Sequence, residues 1–281
     1  MASAAGGWCL SVLLLLTGVT AAAQDLPPLK LGILPYTSTL NLLAAHQPLR
    51  RYLQGKLGRP VELYTASSFS GFVRDSQRGD YDLLLTAPHF ARLAQKEVGY
   101  VPLARYASTI HPRLVVAKDD PMRDVSELSG SRIANADQLA LVTVVAVRWL
   151  GQNGLRPSQY ELHDSTTHAN AILAVTKGES RAAITSRSAL LQMSSDVQEQ
   201  VRSIDIPSNL PHLMVLAHPR LAAQVRDRVR NALLNFARES AEGNGFLQSA
   251  GYIGFVPVSA RELHQLDPYV NDVKRALEAR P

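Results

Sequence analysis

An α/β fold in two lobes is what this sequence predicts, and three observations predict it. Short apolar strands alternate with amphipathic helices along the chain, as in α/β proteins with mostly parallel sheets. The length, 281 residues, lies near the limit of a single hydrophobic core, so two compact lobes are expected. Two polar, strand-like stretches, residues 107–113 and 205–211, suit a chain that leaves the first lobe once and returns once, forming a two-strand hinge. The expected division is residues 24–109 with 210–281 for lobe 1 and residues 110–209 for lobe 2.

The elements follow in order. Residues 29–34 read as the first strand, and Pro35-Tyr36-Thr37-Ser38 as a turn that caps a helix over residues 39–57. Leu40, Leu43, Leu49, Leu53 and Leu57 recur there at near-helical spacing, and Gly58 and Pro60 stop it. Residues 61–65 and 81–86 read as strands around a short helix at 67–77. A helix at 89–96 and a strand near 100–105 complete the first half. The second half repeats the logic: strands at 114–117, 132–135, 160–162 and 182–185, a helical turn at 124–128, and helices at 138–150 and 167–177. A strand at 213–217 leads into a helical tail at 220–241, 245–250 and 259–278.

Composition narrows the function. Hydrophobic residues make up 46% of the chain and charged ones 19%, which suits a globular protein rather than a disordered one. The net charge of +5 comes without a run of five or six like charges. It reads as a bias towards anions and not as a nucleic-acid footprint. Residues 1–24 hold no Asp, Glu, Lys or Arg, and the apolar run at 8–19 is too short to span a bilayer comfortably. Ala21-Ala22-Ala23 supply the small residues of a cleavage site, so residues 1–23 are expected to be a signal peptide and the protein periplasmic. Cys9, the sole cysteine, lies in that segment. The exported chain would then hold no disulfide, thiolate metal site or cysteine nucleophile.

In open α/β sheets, ligands bind beyond the carboxyl ends of strands, where helix N-termini present unpaired N–H groups. The junctions are rich in hydroxyls. Tyr36, Thr37, Ser38 and His89 stand at them in lobe 1, and Gln138, Thr166, Thr167, His168 and Ser186 in lobe 2. Phe69 and Phe90 could shape the cleft. Each Ser or Thr also reads as an ordinary N-cap, and the binding reading rests on several junctions converging. His163 and His168 have no third metal ligand nearby in sequence, so no metal is expected. No G-x-S-x-G elbow, H-E-x-x-H helix, P-loop or cofactor fingerprint occurs, so neither an enzyme nor a cofactor is expected.

Several of these segments carry a family resemblance. L-G-I-L-P-Y at 31–36, P-L-R-R-Y-L-Q-G-K-L-G-R-P-V-E-L at 48–63, G-D-Y-D-L-L-L-T-A-P at 79–88, E-L-S-G-S-R-I-A at 127–134 and T-T-H-A-N-A-I-L-A-V-T-K-G-E-S-R-A-A-I at 166–184 together resemble the phosphate-, phosphite- and phosphonate-type binding components of bacterial ATP-driven importers. The resemblance implies a type II periplasmic binding fold, a small anionic ligand held between the lobes, an inner-membrane permease as partner, and a monomer. It carries over Tyr36 in the first turn and His168 in the second lobe. Three positions depart from the family pattern. Leu139-Ala140-Leu141-Val142 stands where the family has a Ser-Thr-Ser-Gly run that grips phosphonate oxygens. Ala91 stands at a family tyrosine, and an acid that meets a ligand amine falls near Ser186. Losing the acid points away from an aminophosphonate, and losing the serine cluster argues against tight capture of any phosphonate through that helix end, which leaves a small oxyanion as the expected ligand. A second reading with the same fold is a receptor that presents its closed form to a membrane sensor kinase.

Overall fold

The computed structural model describes residue 1, residues 26–249 and residues 251–278. The signal peptide expected at residues 1–23, its cleavage point and Cys9 fall outside the described residues, Met1 apart. The first sheet is built from β1 (Leu29–Ile33), β2 (Val61–Tyr64), β3 (Leu83–Thr86) and β4 (Val101–Tyr106). Four helices connect these strands: α1 (Thr39–Ala45), α2 (Gln47–Leu57), α3 (Phe69–Arg78) and α4 (Pro88–Val98). The chain then crosses to a second sheet of β5 (Pro112–Ala117), β6 (Arg132–Asn135), β7 (Glu161–Asp164), β8 (Ala182–Ser186) and β9 (Val201–Asp205). Helices α5 (Leu141–Gln152), α6 (His168–Thr176), α7 (Arg187–Leu191) and α8 (Ser195–Glu199) belong to it. After the return come β10 (Met214–Ala217), α9 (Ala223–Glu239), α10 (Ala241–Ser249), β11 (Phe255–Val256), α11 (Ala260–His264) and α12 (Asp267–Glu278).

The strand orders are β11-β4-β10-β3-β1-β2 and β7-β6-β8-β5-β9. Both sheets are mixed, where mostly parallel ones were expected. β1 runs parallel to β2 and β3, and β6 parallel to β7 and β8. β10 enters from the other lobe and inserts antiparallel between β3 and β4. β5, the first strand after the outward crossing, is antiparallel to β8 and β9. Strands joined by a helical crossover run parallel, whereas strands delivered by the crossings need not.

Two helices read as continuous from periodicity are broken. The expected helix over 39–57 divides at His46, with Pro48 in the first turn of α2. The expected helix over 259–278 divides at Gln265–Leu266, with Pro268 in the first turn of α12. In each case a proline inside a running helix would remove an N–H and clash with the carbonyl four residues back, so the chain restarts. Helices α7 and α8 and the two-residue strand β11 were not expected.

The cores explain why the strands lie where they do. Leu29, Leu31, Ile33, Leu83, Leu84 and Leu85 are fully buried, each worth roughly 1.5–3 kcal/mol of transfer free energy. Gly32 sits among them because a Cβ there would lie 2.6 Å from the Tyr81 ring. That ring stacks on Phe72 at 5.4 Å.

The two crossings run side by side. Ile110 N–H donates to Leu210 O at 3.0 Å, His212 N–H donates to Ser108 O at 3.2 Å, and Thr109 bridges Pro211 in antiparallel register. Arg113 and Asp205 form an ion pair where the crossings meet the second sheet. A further tie lies outside them. Helix α12 packs on α4 of the first lobe and also on α5 of the second. Arg148 of α5 donates to Asp272 Oδ2 at 2.5 and 3.1 Å and to Pro268 O at 3.1 Å, with its guanidinium 4.5 Å from the Tyr269 ring centre.

Candidate binding cleft

A cavity of about 630 Å³ lies between the two sheets, at the strand-to-helix junctions of both. From the first lobe, Tyr36, Thr37 and Ser38 reach it at the β1–α1 turn, Phe69 at the start of α3, and Ala87 and Pro88 at the start of α4. From the second, Ala140, Leu141 and Val142 line it at the start of α5, and Thr167, His168 and Asn170 at the start of α6. Ser186 and Ser188 reach it around the start of α7. The crossings add Ile110 and His212, and the segment around α10 adds Phe246, Ser249 and Tyr252. Among the described residues that line this cavity there is no Asp, Glu, Lys or Arg.

Six of the nine residues singled out from sequence therefore face one cavity: Tyr36, Thr37, Ser38, Thr167, His168 and Ser186. Three do not. His89 is fully buried on α4, where its ring stacks on Phe90 at 4.0 Å and its Nε2 meets Leu139 O at 2.8 Å. Gln138 is exposed in the turn before α5. Thr166 does not line the cavity; its Oγ1 donates to Ser165 O at 2.6 Å, and its φ of 65° places a β-branched residue in the left-handed region. Among the described residues no three His, Cys, Asp or Glu side chains gather as they would to hold a metal ion.

The hydroxyls cap helices and can still donate. Thr167 Oγ1 accepts from Asn170 N–H at 3.1 Å, and Ser186 Oγ accepts from Ala189 N–H at 3.1 Å. Each is an N-cap, yet a capping hydroxyl uses only its oxygen lone pair and keeps its O–H to donate. Helix α5 is different. Its N-cap is Ala140, which makes no side-chain cap bond, and its first backbone N–H groups have no intrahelical partner. Leu141 and Val142, which line the cavity, are apolar residues on this uncapped first turn. Leu139 turns into the core instead and is 1% exposed.

Electrostatically the cavity is neutral. Burial pushes the Tyr36 phenol well above its ordinary range, and the neighbouring Tyr252 adds to the effect. Burial also raises Tyr252. His168 is pushed down to about 4 by burial. His212 is pushed down to about 4 by burial first and then by the nearby His111. Both imidazoles are therefore uncharged at neutral pH. His212 Nδ1 accepts from Leu213 N–H at 2.9 Å, which places the ring proton on Nε2 and makes that nitrogen a donor. His168 Nδ1 is buried with no partner among the described residues.

Sequence reasoning missed His212 and Tyr252. Tyr252 stacks on Tyr106 at 4.0 Å with 13° between planes, and His212 meets its edge at 4.9 Å. His212 lies one residue beyond the stretch expected to cross between lobes. Its place beside a crossing was the available signal, since segments that join two lobes can wall a cavity between them. Nothing in the local sequence marks Tyr252, which comes from the far end of the chain.

The chain matches the family model of the ABC-transporter phosphonate periplasmic substrate-binding proteins over residues 31–263. Solved structures with the same fold include PhnD1 from Prochlorococcus marinus in complex with methylphosphonate. It has a TM-score of 0.79 and 13% identity, covering 88% of this chain and 98% of that one. A binding protein component of an ABC phosphonate transporter from Pseudomonas aeruginosa matches with a TM-score of 0.76 and 16% identity, over 91% of this chain and 90% of that one. The alkanesulfonate-binding protein SsuA from Xanthomonas axonopodis pv. citri, bound to MOPS, matches with a TM-score of 0.63 and 17% identity, over 92% and 96%.

Proposed function

Because the chain belongs to the family of periplasmic phosphonate-binding proteins of ABC transporters, we propose that it captures a small oxyanion-bearing solute between its lobes and delivers it to an inner-membrane permease. The observation that carries this reading is a cavity walled by both lobes, lined with neutral donors and free of charged side chains among the described residues. An anion placed there loses water, and its oxygens must be met by fixed hydrogen-bond donors. The Tyr36 hydroxyl, His212 Nε2–H, the Thr167 and Ser186 hydroxyls and the first N–H groups of α5 supply them. Neutral donors and a helix end suit an oxyanion without fixing a cation to one spot. His168 joins the set from the second lobe, its unpartnered Nδ1 available to a protonated oxygen of the ligand.

In this reading residues 1–23 direct export and are removed. Residues 24–109 with 210–281 close on residues 110–209 about the paired crossings, and the protein acts as a monomer. Its role is binding without turnover and needs no cofactor.

A thermal-shift screen against phosphate, phosphite, methylphosphonate, alkylsulfonates and neutral solutes tests the proposal. A ligand that binds only the folded state stabilises it by about 2.7 kcal/mol at a hundredfold excess over Kd. A clear rise in Tm with an oxyanion, and none with neutral solutes, is the expected result. A flat response across the anions, or steady consumption of one of them, overturns the reading.

A further inference from the structure

A second chamber of about 460 Å³ opens beside the first. The two share walls, including Ile110, Val142, Ser186, Ser188, His212 and Tyr252. What differs is charge. The first chamber has no charged side chain among its described lining, and the second has one, Arg187 at the start of α7. Its guanidinium makes no hydrogen bond or ion pair among the described residues, although its backbone N–H donates to His111 O at 2.9 Å. No carboxylate lines the second chamber to neutralise it. The nearby Arg113, held below its ordinary range by burial and then by the charge of Arg187, already has Asp205 as partner, so Arg187 is the cation left without a counter-ion there.

Size points the same way: a cleft of about 630 Å³ leaves room beyond a single tetrahedral oxyanion. Cavities of several hundred cubic ångströms are the size that organic ligands occupy.

We propose that the natural ligand is an organic oxyanion with a second anionic group, in its simplest form a carboxylate: the oxyanion sits among the neutral donors of the first chamber, and the distal carboxylate reaches Arg187 in the second. This rests on the oxyanion reading above and adds the chemical class of the tail. Arg187 is then a specificity-determining residue. A planar guanidinium holds a carboxylate through two parallel N–H···O bonds, which a terminal amide of the same shape cannot match.

The test compares the purified protein's affinity for phosphonopropionate and phosphonobutyrate with that for their terminal carboxamides, by titration calorimetry. The expected result is that at least one acid binds about tenfold more tightly than its amide, the ratio of a single charge-assisted contact. In Arg187→Ala that ratio falls to near one. In Arg187→Glu it inverts, so that a terminal amine binds better than the acid. Arg187 is exposed, so both variants keep the fold, which circular dichroism and Tm check. Equal affinity for acid and amide in the wild type, or a preference that survives in Arg187→Ala, overturns the proposal while leaving oxyanion capture intact. Failure of every phosphonate, amides included, to bind removes oxyanion capture and this proposal together.

Discussion

His89 Nε2, on α4 of the first lobe, donates to the Leu139 carbonyl of the second lobe across 2.8 Å. A carbonyl only accepts, so the ring proton is on Nε2. Nδ1 is left buried and without a partner among the described residues. The contact ties the starts of α4 and α5, two helices whose first residues line the cavity. A residue that sequence placed among the ligand contacts is thus a fastening between the lobes beneath it.

Burial pushes His89 down to about 4. In the unfolded chain a histidine titrates near about 6.5. Between these values the unfolded state binds the proton more readily, so acid favours unfolding. The contribution of His89 is complete above about pH 6.5 and declines as pH falls to about 4, by an amount on the order of 3 kcal/mol. His168 and His212 are lowered in the same direction. Urea unfolding at pH 7.5 and 4.5 should show a lower midpoint in acid, and His89→Gln should show a smaller drop. An identical acid response in the variant would remove His89 from the effect.

Arg148→Ala removes the tie between α5 and α12, two bonds to Asp272 and the contact with the Tyr269 ring. Arg148 is 40% exposed at its side chain, so solvent screens the pair. The expected loss is about 1 kcal/mol, smaller in high salt, read as the urea midpoint with and without 1 M sodium chloride. A loss that salt leaves untouched would assign the effect to packing alone.

Ala140→Ser should help where broader restoration of hydroxyls would not. A serine N-cap in place of alanine stabilises a helix by about 1 kcal/mol, and residue 140 also lines the cavity. Stability should rise, and affinity for a phosphonate with it. Leu139→Ser with Leu141→Ser acts in the opposite direction. Both leucines are buried, and each truncation costs roughly 2–5 kcal/mol. Chemical denaturation of the two variants side by side decides the matter.

Tyr36→Phe keeps the ring that meets His46 at 6.2 Å and removes only the hydroxyl. Tm of the free protein should move little, while affinity for an oxyanion falls about tenfold, the loss of one hydrogen bond to a charged group. Unchanged affinity would leave Tyr36 as a wall of the cavity and nothing more.

Local patterning carried most of the fold. Arg132–Asn135 forms a strand with the bounds that its apolar centre suggests, and the crossings lie in the two polar stretches expected to hold them. The breaks at His46 and Gln265 were written in Pro48 and Pro268, but apolar periodicity runs through both and hid them. For the cavity, hydroxyl-rich junctions marked Tyr36, Thr167, His168 and Ser186, because strand ends in such sheets converge on one crevice. Local sequence does not tell which way a side chain turns. Thr166 and Thr167 are neighbours of which only the second lines the cavity, and His89 reaches a carbonyl fifty residues away.

The crossings form part of the cavity wall, through Ile110 and His212. In the closure proposed above these residues would lie next to the axle, where a degree of rotation moves an atom least. Thr37 and Asn170, which line the cavity from opposite lobes, would move against each other. A solute resting on His212 would then keep its geometry there while the lobes close over it.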